Sequence, residues 1–280
     1  MLRRRPDGFH ELETLFERIS LGDEIILKEI PSGIVFCTDS KDVPADASNL
    51  AWRAASLLKE HCRVSRGVEI RLKKKIPVSA GLGGGSSNAA TVLLGLNRLW
   101  KLRLSQKKLL GLASELGSDV PFFILDTPFA LARGRGEVLK KISAPGRKFW
   151  HCVVKPPFGI STKEAYEGLN LPSSARPPRR GQGLTPPKPN VKMLLHSIQR
   201  GDSARLSRLL INSLEVSLNN RVTTILEIKN SLLEQGAFAS LLSGSGSAVF
   251  GLFRTRQKAV RAAHFLKKKK SWQVFVASTC

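Results

Sequence analysis

The spacing of apolar residues along this chain predicts a mixture of short strands and amphipathic helices. Strands are expected at 11–19, 24–30 and 34–38, and a hairpin at 129–142, because apolar, β-prone runs alternate there with turn sequences. Helices are expected at 50–62 and, capped by Ser105, up to residue 116, where apolar residues recur at helical spacing. Strands and helices follow one another without strict alternation, which favours an α+β fold over a doubly wound sheet.

A second series of elements begins after an interruption at Ala144, Pro145 and Gly146. The elements expected beyond it are strands at 150–155 and 273–278, a strand pair within 239–252, and helices at 162–169, 204–218, 222–235 and 257–266. Residues 171–189 are rich in proline, arginine, glycine and serine and are expected to form a surface loop. We therefore expect two domains, 1–145 and 146–280.

A glycine-rich segment, the first glycine loop, lies between a basic strand expected at 71–76 and an amphipathic helix expected at 88–100. Glycine lets a ligand approach the main chain closely, and the first turn of a helix presents free N–H groups that suit a phosphate. A tight turn without a ligand is the alternative, but the clear strand and helix on either side favour a phosphate site. The residues of this loop are Pro77, Val78, Ser79, Ala80, Gly81, Leu82, Gly83, Gly84, Gly85, Ser86 and Ser87.

Two well-known nucleotide motifs do not describe this loop. No Gly-Lys-Ser/Thr sequence follows the glycines, so it is not a Walker A loop. Ser86 stands where a Rossmann fingerprint would have its third glycine. Backbone amides and the hydroxyls of Ser86 and Ser87 would therefore have to hold a nucleotide without a lysine from the loop.

Length and composition limit the classes of protein to which this chain can belong. With 280 residues, of which 42% are hydrophobic, the chain can form one large domain or two ordinary ones. No apolar run approaches membrane-spanning length, and the basic N-terminus has no apolar signal-peptide core. The four cysteines, Cys37, Cys62, Cys152 and Cys280, are scattered without metal-ligand spacing, which favours reduced thiols in a cytoplasmic protein.

The net charge of +23 favours polyanionic partners, either nucleic acids or phosphorylated small molecules. Much of the excess lies in runs at 3–5, 73–75, 176–180 and 267–270, and such runs usually form solvated faces. Aromatic residues make up only 6% of the chain and no zinc-finger spacing is present, so nucleic acid is the less favoured partner. We expect a small-molecule substrate and no membrane partner, and the oligomeric state stays open.

Asp119 is the best candidate for the carboxylate that phosphoryl transfer needs to orient or deprotonate the attacking hydroxyl. It lies in a sharp turn at 117–121, and helix capping is an equally good interpretation of it from local sequence. A second glycine loop, Ser243–Ser247, suggests a cleft in which phosphates lie between the two loops. His10, beside Phe9, is suited to recognise a substrate base.

Three segments in this order, 77–90, 117–121 and 242–250, resemble the GHMP kinase superfamily. The segments that narrow the resemblance to its branch acting on 4-diphosphocytidyl-2-C-methyl-D-erythritol are 5–10, 13–16, 132–137, 158–162 and 274–279. The resemblance implies ATP-dependent phosphorylation of the 2-hydroxyl of that compound in non-mevalonate isoprenoid biosynthesis, with Mg²⁺ accompanying ATP. It also implies a ribosomal-protein-S5-like N-terminal domain that binds ATP and an α/β-plait C-terminal domain.

The resemblance also implies roles for individual residues. Asp119 matches the catalytic base, the first glycine loop matches the ATP loop, and Tyr166 matches an aromatic residue that stacks on the cytosine. The residues expected to bind the acceptor substrate are Phe9, His10, Thr162, Tyr166, Gly244 and Ser245. No metal ligand can be assigned.

The family opens with a strand carrying Lys and Asn ahead of the Arg-Pro-Asp-Gly segment, and this sequence begins at Met1 without that strand. The lysine would favour the ionised form of the catalytic carboxyl. A truncated start is the preferred explanation, and a catalytically inactive nucleotide-binding homologue is the alternative. A GHMP kinase for another small alcohol, such as mevalonate or homoserine, is disfavoured by the segment 7–10 and the triple glycine.

Overall fold

The computed structural model describes residues 3–4, 10–167, 190–218, 221–269 and 271–280. The strands are β1 (Arg3–Arg4), β2 (His10–Glu17), β3 (Glu24–Ile30), β4 (Ile34–Thr38), β5 (Gly67–Lys73), β6 (Phe129–Gly134), β7 (Val138–Lys141), β8 (Trp150–Lys155), β9 (Ala239–Leu242), β10 (Val249–Phe253) and β11 (Gln273–Ser278). The helices are α1 (Leu50–Cys62), α2 (Gly84–Leu99), α3 (Gln106–Leu116), α4 (Val120–Ile124), α5 (Thr162–Glu167), α6 (Val191–Arg200), α7 (Ser203–Leu209), α8 (Val222–Glu234) and α9 (Arg256–Leu266), with a 3-10 helix at Ser213–Ser217. No helix within the described ranges is both long enough and apolar enough to cross a bilayer.

The strands form three sheets, ordered β1-β2-β6-β7, β3-β5-β4 and β11-β8-β10-β9. Neighbouring strands are antiparallel except β4 and β5, which run parallel and are joined through α1. A parallel pair requires such a crossover, because the end of the first strand and the start of the second lie at opposite edges of the sheet. The mainly antiparallel sheets, with helices packed on them, are an α+β arrangement, as expected from the sequence.

Each half of the chain has its own apolar core. In the N-terminal half, α1 and α2 pack against the β3-β5-β4 sheet and α3 packs against these helices, and Leu58, Ile70 and Leu93 are fully buried there. In the C-terminal half, α8 and α9 pack against the β11-β8-β10-β9 sheet around Ile228 and Phe253. These two cores hold the segments that carry the candidate site residues.

A third apolar cluster joins the two halves. It combines Phe129 and Leu131 of β6 with Leu194 and Ile198 of α6 and with Leu252 of β10. The chain end adds backbone hydrogen bonds to the segment after β2, since Cys280 N donates to Arg18 O at 3.0 Å and Ser20 N to Ser278 O at 2.8 Å. The halves are therefore held together by apolar packing and by main-chain pairing.

Six elements coincide residue for residue with the sequence-based expectation, namely β3, β4, α1, α3, β8 and β11. Their boundaries are marked by local signals that act without tertiary help. Ser105, for example, accepts a hydrogen bond from Lys108 N at 3.3 Å and so caps α3. The expected surface loop at 171–189 lies outside the described residues.

Three expectations were wrong. The strand expected up to residue 76 ends at Lys73, because the amides of Lys75 and Ile76 donate to Asp23 Oδ1 at 2.7 and 2.8 Å instead of to a sheet. The helix expected at 204–218 is interrupted, because Leu210 is extended and a separate 3-10 helix follows Asn212. The helix after the first glycine loop begins at Gly84 rather than at residue 88. In addition, α6 was not predicted from the sequence.

Asp23 and Lys74 form a shielded ion pair where β5 leads into the first glycine loop. The Asp23 Oδ2 to Lys74 Nζ distance is 2.7 Å, and the side chains are only 1% and 9% exposed. Lys74 Nζ also donates to Ile76 O at 2.5 Å. The pair therefore fixes the turn that carries the chain from the strand into the loop.

We expect Asp23→Ala to lower the free energy of unfolding by about 3–5 kcal/mol, because it leaves a buried ammonium group without its partner. Urea denaturation measures the change. The matched control is Glu24→Ala, which removes an exposed pair with Lys73 whose side chains are 47% and 58% exposed. Glu24→Ala should lower the free energy of unfolding by at most about 1 kcal/mol. Equal decreases in the two variants would contradict the expectation.

Candidate active site

The first glycine loop leads directly into the N-terminus of α2. Ser79, Gly81 and Gly83 have φ values of +52°, +70° and +66°, so the chain turns sharply at alternate residues. Gly83 occupies the position before the helix and, as a glycine, supplies no side-chain cap to the N–H groups of the first turn. Free N–H groups at the positive end of a 16-residue helix form a site suited to an anion such as phosphate.

The second glycine loop touches the first directly. Ser243 Oγ donates to Gly81 O at 2.9 Å, and Ala248 N donates to Ala80 O at 3.1 Å. A Cβ atom on Gly81 would overlap with the carbonyl oxygen of Ser243, so only glycine fits there. A ligand shared by the two loops would therefore lie along their common edge rather than in a cleft between them.

The segment between β8 and α5 packs against both loops. A Cβ on Gly159 would lie 2.9 Å from Ser79 Cβ, and Ser247 Oγ donates to Phe158 O at 2.5 Å. Thr162 Oγ1 lies 3.3 Å from Ser245 Oγ, so Thr162, Ser245 and Gly244 are brought beside the first glycine loop. The sequence of this segment contributed to the family resemblance but did not indicate its packing role.

Lys155 holds the segment between β8 and α5 in place through hydrogen bonds. Its Nζ donates to the carbonyl oxygens of Pro156 and Phe158, both at 2.8 Å, and the residue is 7% exposed. Burial lowers the pKa of Lys155, and the Asp42 carboxylate opposes this effect more weakly. Nothing in the local sequence indicated this role, because a lysine at a strand end is usually solvated.

Asp119 lies in the turn between α3 and α4 and does not cap α4 with its side chain. This excludes the helix-capping interpretation that local sequence left open. Asp119 is an exposed residue of this turn, and desolvation by nearby protein atoms raises the pKa of its carboxyl. Among the residues that the structure describes, no cation forms an ion pair with Asp119.

The turn of the β6–β7 hairpin lies next to Asp119. A Cβ on Gly136 would lie 3.7 Å from Asp119 Oδ1 and 3.6 Å from Ser118 Cβ, and φ at Gly136 is +115°. The absence of a side chain at this position therefore leaves space around the carboxylate. In the sequence this glycine was identified as a turn residue and as part of the resemblance at 132–137, and its place beside Asp119 was not predicted.

Tyr166 and His10 complete the same region. Burial, and then the negative charge of Asp119, raises the pKa of Tyr166 to about 12. The ring of His10 lies 5.0 Å from the ring of Tyr166, at an interplanar angle of 38°. Phe9 lies outside the described residues.

The first glycine loop and Asp119 are connected through α4. Phe123 of α4 packs on Gly83, where a Cβ would lie 3.1 Å from the Phe123 ring. The phosphate-type site and the carboxylate are therefore held by one continuous piece of structure. Within the described ranges, no group of three or more His, Cys, Asp or Glu residues could hold a metal ion.

We expect Gly81→Ala to lower the free energy of unfolding by about 1–3 kcal/mol, because alanine is strained at positive φ and its Cβ would overlap with the second glycine loop. The matched control is Gly111→Ala on the open face of α3, where a Cβ meets no atom within 4 Å. Because alanine favours the helical conformation more than glycine does, Gly111→Ala should raise the free energy of unfolding by about 0.5–1 kcal/mol. Urea denaturation of both variants measures the difference, and a loss-free Gly81→Ala would contradict the tight loop contact.

The chain matches two models of one family. The GHMP kinases N terminal domain matches residues 49–127, and the GHMP kinases C terminal domain matches residues 194–271. The first of these ranges contains the first glycine loop and Asp119, and the second contains the second glycine loop. Both loops and the carboxylate thus fall within the matched parts.

Similar proteins and structures agree with this match. A 4-diphosphocytidyl-2-C-methyl-D-erythritol kinase of Alkaliphilus oremlandii (strain OhILAs) is 40% identical over 94% of this chain and 87% of its own length. A crystal structure of 4-(cytidine 5'-diphospho)-2C-methyl-D-erythritol kinase is 36% identical, with a TM-score of 0.80, over 99% of this chain and 93% of that one. A homoserine kinase of Cytophaga hutchinsonii has a TM-score of 0.74 at 22% identity, over 95% and 88% of the two chains, which shows the shared fold alone. The chain therefore belongs to the GHMP kinase family, in its branch of 4-diphosphocytidyl-2-C-methyl-D-erythritol kinases.

Proposed function

We propose that this protein is a cytoplasmic kinase that transfers a phosphoryl group from ATP to the 2-hydroxyl of 4-diphosphocytidyl-2-C-methyl-D-erythritol, a step of non-mevalonate isoprenoid biosynthesis. The observation that carries the proposal is the connection through α4 between the uncapped N-terminus of α2 and the carboxylate of Asp119. It supplies an anion site and a candidate base within one packed unit. Phosphoryl transfer depends on this combination of phosphate binding and alignment of the attacking hydroxyl.

In this proposal the first glycine loop binds ATP through backbone N–H groups. The φ values of Gly81 and Gly83 direct the chain so that the first turn of α2 is open. Ser87 Oγ donates to Gly84 O at 2.8 Å and so braces that turn, while the residues from Pro77 to Ser87 surround the phosphates. When bound, ATP supplies the phosphoryl group and Mg²⁺ neutralises part of its charge, and no residue is proposed as a ligand of Mg²⁺.

Asp119 is the proposed catalytic base. A carboxylate that accepts the proton of the 2-hydroxyl must be ionised, and its basicity increases with its pKa. Desolvation raises the pKa of Asp119, and no described cation opposes the shift. The carboxylate is therefore a stronger proton acceptor than an aspartate with the ordinary pKa, and it acts as a base only at pH values above its raised pKa.

The acceptor substrate is proposed to lie between Asp119 and α5. Tyr166 and His10 present neighbouring rings near the carboxylate, and we propose that they and Phe9 recognise the cytosine. Thr162, Ser245 and Gly244 lie beside the first glycine loop and are proposed to contact the diphosphate. Residues 1–145 are then the domain that binds ATP, and residues 146–280 supply most of the acceptor site.

We expect the purified full-length protein to release ADP with the diphosphocytidyl substrate but not with mevalonate or homoserine. Asp119→Asn should lower kcat by about 10²–10⁴-fold, because the amide cannot accept the proton. It should also raise the free energy of unfolding at neutral pH. A carboxyl with a raised pKa binds its proton more tightly when folded, so its ionised form costs stability that the neutral amide does not.

The matched control is Asp126→Asn. The pKa of Asp126 is lowered by its hydrogen bond to Arg18 at 2.6 Å, so this change should reduce stability slightly and leave kcat unaltered. A coupled ADP-release assay and thermal unfolding follow both variants. Turnover retained in Asp119→Asn would remove Asp119 from the mechanism, and ADP release with mevalonate or homoserine instead would reassign the substrate.

We expect Tyr166→Ala to raise KM for the diphosphocytidyl substrate by about 5–100-fold, because stacking on a base contributes about 1–3 kcal/mol. KM for ATP should not change, since the first glycine loop is separate from the ring. Tyr166→Phe keeps the ring and removes only the hydroxyl, so it should stay within about 3-fold of the native KM. Steady-state kinetics measure both constants, and an equal rise with alanine and phenylalanine would exclude stacking.

A further inference from the structure

A cleft of about 770 Å³ lies at the junction of the two halves of the chain, away from the site described above. Its walls come from the β6–β7 hairpin of the N-terminal half and from α6 of the C-terminal half. This volume falls within the range of small-molecule sites, about 300–1,000 Å³. The cleft borders the apolar cluster that joins the two halves.

Because side chains alternate in direction along a strand, the cleft and Asp119 lie on opposite faces of the sheet that contains β2. On β2, Phe16 reaches Gly136 beside Asp119, whereas Glu13 lines the cleft. Residues at odd and even positions of a strand point to opposite faces, so the two sites lie on opposite sides of the same sheet. The hairpin contributes to both sites, through its turn on one side and through Arg133 on the other.

The cleft has a cationic rim. Arg133, Lys140, Lys141 and Lys192 line it, with Glu13 as its one carboxylate. Glu13 is already paired with Arg133 at 2.8 Å. In the described part of the chain, Lys140 and Lys192 form no hydrogen bond or ion pair with another side chain or carbonyl, and their positive charges are left for a ligand.

Lys141 belongs to the other face of the sheet. It is paired with Ala130 across the hairpin, so its side chain points away from that of Lys140, and it lies within electrostatic range of Asp126. The ammonium groups of Lys140 on β7 and Lys192 on α6 therefore line a shared space in which Glu13, the one carboxylate among the described lining residues, is paired with Arg133. Such an arrangement favours an anion with more than one charge.

The floor of the cleft is apolar. Leu131 and Ile142 are buried beneath it, and Val191 and Leu195 of α6 are half-buried along its side. A solvated basic face, the ordinary form of a charge run, has no such floor. An apolar floor below a cationic rim is complementary to a ligand that has an anionic head and an apolar body.

We propose that this cleft binds an amphipathic organic phosphate, a small molecule with a phosphate or diphosphate head and an apolar body. The head lies between Lys140 and Lys192, and the body contacts Leu195 and Val191. The ligand thus spans the hairpin beside Asp119 and the helix of the other half. It is distinct from ATP and from the acceptor substrate, which are proposed to bind on the opposite side of the sheet.

Isothermal titration calorimetry of the full-length protein with octyl phosphate tests the proposal, with inorganic phosphate as the comparison. Octyl phosphate should bind at least about 10-fold more tightly, because burial of each CH₂ group is favourable. The double variant Lys140→Glu/Lys192→Glu should weaken octyl phosphate binding by at least about 10-fold through loss of charge-assisted contacts. The matched control, Lys107→Glu/Lys258→Glu, changes two exposed lysines elsewhere by the same charge and should alter binding by less than about 2-fold.

Three results would overturn the proposal. Equal losses in the two double variants would mean that only the overall charge attracts the ligand. Unaltered binding in Lys140→Glu/Lys192→Glu would place octyl phosphate elsewhere, for example at the first glycine loop. Binding to vesicles that contain phosphatidic acid, without binding of monomeric octyl phosphate, would mean that the lysines contact a membrane surface. None of these measurements depends on kinase turnover, so a failure here leaves the proposed function untouched.

Discussion

The close backbone contact between the two glycine loops is the constraint on which the rest of the site depends. Gly81 and the carbonyl of Ser243 approach so closely that no Cβ can stand between them. The contact fixes one loop, which leads into α2, against another loop that lies between two strands of the second sheet. Main-chain hydrogen bonds and the hydroxyl of Ser243 hold the two loops together at this point, and the apolar cluster that joins the two halves adds side-chain packing.

Charge is distributed differently around the two sides of the molecule. Near the first glycine loop, Asp23 neutralises Lys74, and Lys155 is held by carbonyl oxygens. Asp119 has no such partner among the described residues, so desolvation acts on it alone and raises its pKa. At the junction cleft the reverse holds, because cations outnumber acids. A chain with a net charge of +23 therefore places an unopposed negative charge where the proposed chemistry needs one.

The ends of helices and strands were predicted correctly from the sequence where residues within a few positions of the boundary determine it. The helix α1 begins at a side-chain cap, where Asn49 accepts from Ala51 N at 2.8 Å, and β3 and β4 are bounded by turn residues. Prediction from the sequence failed where a distant residue decides the outcome. Asp23 takes the amides that would otherwise extend β5, although about fifty residues separate them in sequence. The break after α7 follows from Asn212, whose side chain donates to the carbonyl oxygens of Leu242 and Gly244 in the other loop region.

The sequence by itself determined the α+β class, most element boundaries, the family, and the segments that hold the candidate site, because these depend on local periodicity, glycine content and motif order. Only the tertiary structure decided how those segments meet. It brought the two glycine loops into contact, freed Asp119 from helix capping and placed Gly136 beside it. It also assembled the junction cleft from a hairpin and a helix that are far apart in sequence. Desolvation, close approach of backbones and the pairing of charges all depend on neighbours in space, and neighbours in space are what a linear pattern does not contain.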